Sequence, residues 1–562
     1  MAITEFLEFN AKNYPDDIAL VEVNPAISAK QFKSWKESGL MEPSAAGPYR
    51  LDISWKIFDE KANRVANAML ARGVKKGEKV GILLMNCLEW LPIYFGILKS
   101  GAVAVPLNYR YSADEIDYCV NLADIEILIF GPEFTERIQE ISENLSQHRL
   151  LFYMGANCPD FAESFPMETS NYSSKAPAIE LKDQDLAAIY FSSGTTGFPK
   201  AILHKHGALM HSALAEQNHH RQQKEDVFLC IPPLYHTGAK MHWFGSLVSG
   251  STAVLLKGTQ PEHILQTASD EKCTIVWLLV PWAQDILDAL DRGDLKLKDY
   301  SLDQWRLMHI GAQPVPPSLI RHWKDYFPNH DYDTNYGLSE SLGPGCVHLG
   351  IENISKVGAI GIPGYGWEAK VVESFEDEEK APPHTKGFAA ARKEMPPGEV
   401  GELAVRGPGV MLEYYKDPEA TAQVLTEDGW LYTGDMAKQD EGGFFFLVDR
   451  KKDVIISGGE NIYPVQIEDF LHEMEEIKDV AVIGLPDKRL GEISAAIIEL
   501  KEEGSCTERD VFEFCLALPR YKRPAKIIFA PVPRNATGKI EKPKLREIYG
   551  GAFLVAAETE TN

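Results

Sequence analysis

Four hydroxyl side chains, two glycines and a lysine share one short stretch, Ser192-Ser193-Gly194-Thr195-Thr196-Gly197-Phe198-Pro199-Lys200. Such a loop suits the wrapping of a phosphate chain. Glycine lets backbone N–H groups approach the oxygens, the hydroxyls add donors, and Lys200 adds a full positive charge. The apolar run before it, Leu186 to Phe191, reads as a buried strand holding one end of the loop. The spacing is not that of a P-loop, which needs Gly, four residues, then Gly-Lys-Ser/Thr.

Six further patterns place polar groups at turns. They are Pro232-Pro233-Leu234-Tyr235-His236, Tyr336-Gly337-Leu338-Ser339-Glu340, Tyr432-Thr433-Gly434-Asp435, Asp449-Arg450-Lys451-Lys452-Asp453, Ser457-Gly458-Gly459-Glu460-Asn461-Ile462 and Arg534-Asn535-Ala536-Thr537-Gly538-Lys539. Each alone has an ordinary explanation. Glu340 beside Ser339 is an acid near a helix start, Thr-Gly-Asp is a turn, and 449–453 is a solvated charge run. Lys539 alone is an exposed lysine. Their order and intervals, with Gly101 to Asn108 upstream, resemble those of the adenylate-forming (AMP-binding) superfamily, which includes acyl-CoA synthetases and fatty-acid–CoA ligases. The resemblance runs from about Trp55 to Tyr549.

That resemblance implies an ATP-dependent acid–thiol ligase. A carboxylic acid attacks the α-phosphate of ATP, pyrophosphate leaves, and coenzyme A takes the acyl group from acyl-AMP. In-line displacement needs charge neutralisation and alignment more than covalent help. The resemblance assigns phosphate contacts to Ser192, Ser193, Gly194, Thr195, Thr196, Gly197 and Lys200. It assigns the adenine side to Gly311, Ala312, Gln313, Asn335, Tyr336 and Gly337, the α-phosphate to Ser339, and the ribose to Asp435 and Arg450. Magnesium falls to Glu340, a hard oxygen ligand, with Thr195 beside it. A carboxylate such as Asp435 accepts both ribose hydroxyl protons at once.

Lys539 takes the place of the family's adenylation lysine, whose ammonium bridges two anions that must meet. Lys539, Glu340, Thr195, Thr196 and Lys200 thus form the implied catalytic group. Lys452 matches the pivot of a mobile module, and Gly458, Gly459 and Glu460 match the thiol channel. Tyr235, His236, Lys240, Trp243 and Gly311 are the implied acyl pocket. Ser339 stands where the family more often has threonine, and Gln313 is also less usual.

Positioning these groups falls to alternating strands and helices. Lys79 to Met85, Ala102 to Pro106 and Ile125 to Phe130 read as strands, with a helix over Glu89 to Lys99. The alternation returns at Val227 to Ile231, Ala253 to Leu256, Thr274 to Leu279 and Arg306 to Ile310. The expected class is α/β, with parallel layers. Beyond Val357, Gly/Pro-punctuated strands at 401–405, 430–433 and 444–448 suggest a β-rich subdomain. After Lys452 a smaller α/β module begins with a helix over Pro464 to Met474. The resemblance sets an N-terminal domain over 1–451, a mobile domain over 452–549 and a frayed tail over 550–562. Pro25 to Arg50 and Ser374 to Pro397 read as loops.

The chain has 562 residues, 44% hydrophobic and 25% charged, which is enough for several domains. A net charge of −25 argues against a nucleic-acid partner while leaving local phosphate sites open. The eight cysteines form no CxxC or His/Cys ligand spacing and read as reduced thiols in the cytoplasm. The longest apolar run, Thr274 to Ala283, is about half a membrane span. Peripheral membrane contact and a homodimer both stay open.

The acid is expected to be medium- or long-chain fatty, aromatic or alicyclic. Lys240, His242 and Trp243 depart from the small or aliphatic residues of fatty-acid relatives, and Trp277 and Trp282 follow in the next apolar segment. A short pocket for a rigid ring acid fits this pattern, and so does ordinary core packing. Three other readings stay open: a stand-alone adenylating enzyme loading a carrier protein, a luciferase-type oxygenase, and a non-catalytic nucleotide-binding relative.

Overall fold

Short apolar runs buried on both faces build two sheets. A computed structural model describes residues 1–28, 48–146, 150–192, 199–311, 315–375, 388–458, 460–502, 504–534 and 540–559. In the first sheet, Lys79–Leu83, Val103–Pro106, Ile125–Phe130 and Leu186–Phe191 run parallel, and Ala201–Lys205 returns antiparallel to Leu186–Phe191. In the second, Val227–Cys230, Thr252–Leu256, Ile275–Leu279, Leu307–Gly311 and Asp331–Asp333 are parallel. Parallel strands covered by helices read as near-continuous Val/Ile/Leu runs, which is why the sequence shows them.

The N-terminal segment departs from the sequence reading. Ile18–Ser28 and Pro48–Ser54 form an antiparallel pair at the edge of the second sheet, with Val21 opposite Asp52. Both overlap the stretch expected to be a loop. The alternation in each is short, and pairing with Thr252–Leu256 supplies the missing partner.

The β-rich part is a four-stranded antiparallel sheet of Glu368–Val372, Val400–Arg406, Leu431–Gln439 and Phe445–Arg450. Beyond it, Ile477–Asp487 and Gly491–Leu500 form the centre of a separate sheet, flanked by Ile455–Ser457 and Lys526–Phe529. Helix Pro464–Leu471 packs on this sheet. The closing helix, Lys542–Thr559, carries the backbone past Tyr549, where a frayed tail was expected.

The layer between the two large sheets is dense. Every residue of helix Trp90–Lys99 is buried. Gly96 lets it touch helix Trp55–Ala71, since a Cβ there would meet Val65 Cβ at 2.4 Å. The buried Lys99 ammonium is satisfied by Asp59 Oδ1 at 2.6 Å and Asn63 Oδ1 at 2.8 Å. Lys240, on helix Thr237–Ser249, is not. Its Nζ is fully buried without a hydrogen-bond partner among the described residues. It lies 4.0 Å from the Tyr190 ring centroid, 4.5 Å from Tyr94 and 5.2 Å from Trp90. Burial pulls its pKa well below the lysine range.

Lys240→Met is therefore expected to stabilise the fold at neutral pH, by about 1–3 kcal/mol, because an unpartnered buried polar group is removed. With its native pKa lowered, Lys240 holds its proton less tightly in the folded than in the unfolded chain, so wild-type stability rises with pH up to about 10. The variant's advantage should shrink over that rise. Urea unfolding of both proteins across pH checks this, and an advantage that does not vary with pH would show that Lys240 is charged when folded.

Candidate functional site

The carboxyl ends of parallel strands from both large sheets converge on a cavity of about 2210 Å³. Pro106, Phe191 and Ser192 come from the first sheet, and Val280, Gly311 and Thr334 from the second. In open parallel sheets ligands bind at such ends, where loops and unpaired backbone groups collect.

The Ser/Thr/Gly loop spans a hairpin. Phe191 pairs with Ala201, the Ser192 N–H donates to the Lys200 carbonyl at 3.0 Å, and the Lys200 N–H donates to Ser192 Oγ at 3.0 Å. The neck is thereby closed from both sides. Lys200 Nζ lies 4.8 Å from the Tyr414 ring centroid, and the Tyr414 hydroxyl donates to Glu340 Oε1 at 2.9 Å. Tyr414 enters on a two-residue strand, Glu413–Tyr414, added beside Ala201–Lys205. Sequence reading missed it, because nothing near Tyr414 signals a partner in Glu340.

Asp435 and Arg450 are cross-strand partners in the four-stranded sheet, so pairing register sets carboxylate opposite guanidinium. Arg450 Nε is 3.2 Å from Asp435 Oδ1, and this carboxylate raises the Arg450 pKa. The Tyr336 hydroxyl donates to Asp435 Oδ2 at 2.5 Å. Gly434 sits at φ 72°, in the left-handed region, which turns Asp435 into place. Asn335, Gly337, Ser339 and Glu340 line the same wall. The buried Asn335 Nδ2 lacks a hydrogen-bond partner among the described residues. Ser339 is held through its carbonyl, which accepts from His204 Nε2 at 2.9 Å.

At the other end, His236 caps helix Thr237–Ser249: its Nδ1 accepts the Gly238 N–H at 3.2 Å. It also lines the cavity with Tyr235, Gly238, His242, Trp277 and His309. A Cβ at Gly238 would meet the Trp277 ring at 2.9 Å, so glycine leaves the cavity open there. Lys240 and Trp243, expected in this wall, do not line it. The first eleven residues of their helix are all buried, and Trp243 packs on Phe58 and Phe95. A helix buried all round turns some of its polar-looking positions into core.

From the C-terminal module, Lys452, Arg534, Ile540 and Lys542 reach the cavity. Gly458 and Glu460 do not line it and sit on the hairpin of Ile455–Ser457 and Glu460–Ile462, with Glu460 exposed. Ser193, Gly194, Thr195, Thr196, Gly197, Ala312, Gln313, Gly459 and Lys539 lie outside the described residues. Lys542 Nζ is 2.8 Å from Glu468 Oε1, with Asp449 and Asp469 close by. Against the pull of burial, Glu468, Asp449 and Asp453 hold the Lys542 ammonium above its usual value. Burial and neighbouring acids raise Asp449 to about 6 and Asp469 to about 7.

Residues 7–415 match the family model described as AMP-binding enzyme, and residues 466–539 match that of the AMP-binding enzyme C-terminal domain. The chain is similar to the long-chain-fatty-acid–CoA ligase FadD13 of Mycobacterium tuberculosis, 30% identical over 500 residues, covering 88% of this chain and 93% of the relative. A feruloyl-CoA synthase of Amycolatopsis is 31% identical over 503 residues, covering 89% and 94%. Among solved structures, the anthranilate CoA ligase AuaEII in complex with anthranoyl-AMP superposes with a TM-score of 0.82 at 26% identity, covering 99% of this chain and 98% of that one.

Lys542→Met should destabilise the protein by about 3–5 kcal/mol at pH 8, since it strands buried carboxylates. Carboxyls with raised native pKa values bind protons as pH falls through about 7 to 5, so the loss should shrink over that window. Denaturant unfolding at pH 8 and 5.5 measures it. A loss equal at both values would assign Lys542 a packing role alone.

Proposed function

The chain belongs to the AMP-binding enzyme family and is an ATP-dependent acid–coenzyme A ligase, and we propose how its residues divide that work. The reaction runs through acyl-AMP with release of pyrophosphate, then through acyl transfer to coenzyme A with release of AMP. One observation carries the assignment of roles: Lys200, Glu340, Asp435 and Arg450 come from four separate segments and line one cavity at parallel strand ends.

In this reading Asp435 and Arg450 hold the ribose and Tyr336 lies on the adenine, with Asn335 Nδ2 as a base donor. Lys200 and the loop it closes hold the β- and γ-phosphates. Glu340 fits magnesium: one oxygen is fixed by Tyr414, and the other makes no hydrogen bond among the described residues. When bound there, magnesium neutralises charge on the phosphates. Ser339 and Thr237, with hydroxyls 3.4 Å apart, stand between the nucleotide and acid ends and can orient the reacting oxygens.

Lys539 neutralises the acid and the α-phosphate as they meet. The placement of Arg534 and Ile540 on the cavity wall, on either side of 535–539, supports this. With Gly458 outside the cavity, the arrangement fits the adenylation stage. Rotation of 452–549 against 1–451 about Lys452 then exchanges the Lys539 loop for the Gly458-Gly459 loop, a hinge switch. The acid bears a ring, seated between Trp277, His236 and Tyr235 above Gly238; relatives named for feruloyl and anthranilate substrates support that class. Eight free thiols, seven of them buried, support a reducing compartment such as the cytoplasm.

The test is pyrophosphate and AMP release with ATP and magnesium over a panel of acids, with and without coenzyme A. Sustained turnover is expected only with coenzyme A, and best with ring acids. A straight-chain fatty acid outperforming every ring acid would sink the ring assignment. Pyrophosphate release that stays stoichiometric despite coenzyme A would point to another acceptor. Lys539→Ala should abolish adenylate formation yet spare thioester formation from supplied acyl-AMP, and survival of both half-reactions would unseat Lys539. Asp435→Ala should raise the KM for ATP at least tenfold, about 1.4 kcal/mol of binding; an unchanged KM would remove it from the ribose.

A further inference from the structure

Behind the acid end of the cavity, Glu216, His220, His242, His309, Asp333 and His348 are packed together, each at most 2% exposed. They arrive from five strands and helices that meet only in the fold: the end of helix His206–His219, helix Thr237–Ser249, two adjacent parallel strands, and strand Gly343–His348. Among the described residues no lysine or arginine pairs with Glu216 or Asp333. A carboxylate buried among imidazoles alone is costly, so the cluster calls for positive charge.

The geometry points to its source. His220 Nε2 and His309 Nδ1 are 3.2 Å apart, and Asp333 Oδ2 is 3.9 Å from the first and 3.6 Å from the second. A triangle with those edges has a point about 2.1 Å from all three corners, the length of zinc–nitrogen and zinc–oxygen bonds. His348 Nε2 lies beside it, 2.7 Å from Asp333 Oδ2, and neither of these two atoms has an aligned hydrogen-bond partner. Asp333 is fixed by its other oxygen, which accepts the Gly350 N–H at 3.1 Å. His242 Nδ1 stands 2.6 Å from Glu216 Oε2 at the flank.

We propose that this cluster is a buried site for a borderline divalent ion, zinc or a close neighbour, held by His220 Nε2, His309 Nδ1 and Asp333 Oδ2 with His348 as fourth ligand. Imidazole and carboxylate ligands suit such an ion better than magnesium, which prefers six oxygens. The site shares no ligand with Glu340. His309 also lines the cavity, so the ion ties the acid pocket's rear wall to three elements of the second sheet and its cover. Its role is structural: it fixes the depth and shape of that pocket.

The test uses full-length protein without a histidine tag, purified without chelator, incubated with Zn2+, gel-filtered and assayed by elemental analysis. About one zinc per chain is expected in the wild type, with a melting temperature raised by the ion. Asp333→Asn, which keeps shape, and His309→Ala should each retain less than a tenth as much. Cobalt-loaded wild type should show the intense visible absorption of a four-coordinate site, a readout that needs no variant to fold. Zinc no higher in the wild type than in Asp333→Asn, or cobalt-loaded wild type without those bands, would overturn the site and leave a neutral imidazole network. Neither readout depends on turnover, so the ligase assignment stands or falls separately.

Discussion

Parallel pairing is the constraint from which the molecule's layout follows. A parallel strand cannot return by a tight turn, so each needs a helical crossover, and those helices cover both faces of the sheet. Only the strand ends remain open. Pro106, Phe191, Gly311 and Thr334 stand at or just beyond such ends, and the cavity exists because two sheets present theirs to the same space. The antiparallel four-stranded sheet then closes one side. Its register, not its loops, sets Asp435 against Arg450, and strands hold such a pair more rigidly than loops would.

Buried charge is handled in several ways within one chain. Lys99 receives a carboxylate and an amide oxygen, and Lys542 a carboxylate with further acids nearby. Lys240 receives only the faces of aromatic rings, which do not replace the lost water, and burial lowers its pKa instead. The difference follows from location. Lys99 and Lys542 lie where polar side chains from a second element can reach, whereas Lys240 is enclosed between apolar helices and a strand.

Much of this was legible before any coordinates. The strand positions appeared as apolar runs, and the motifs around Glu340, Asp435 and Arg450 line one wall as their order suggested. What stayed hidden depends on convergence. Tyr414 reaches Glu340 only because a two-residue strand joins the sheet edge, an event too short to leave a periodic trace. The inward turn of Lys240 reflects a helix buried on every side, where one cation does not reveal the buried face. His220, His309, Asp333 and His348 belong to different elements with no metal-ligand spacing among them, so the sequence does not single them out as a group. The N-terminal strand pair was hidden because its partner lies far along the chain.

The short bond from Tyr336 to Asp435 gives recognition at this end of the cavity a particular character. The carboxylate already has a phenol on one oxygen and a guanidinium near the other. In the ribose role proposed for Asp435, an incoming diol must therefore compete with partners already in place on both oxygens. Exchange of this kind releases little net energy per bond, but it penalises any ligand that offers one hydroxyl where two must replace what is displaced. In that proposed role, discrimination between ribose and its deoxy counterpart comes from the resting state of the pocket, which holds its own internal competitor.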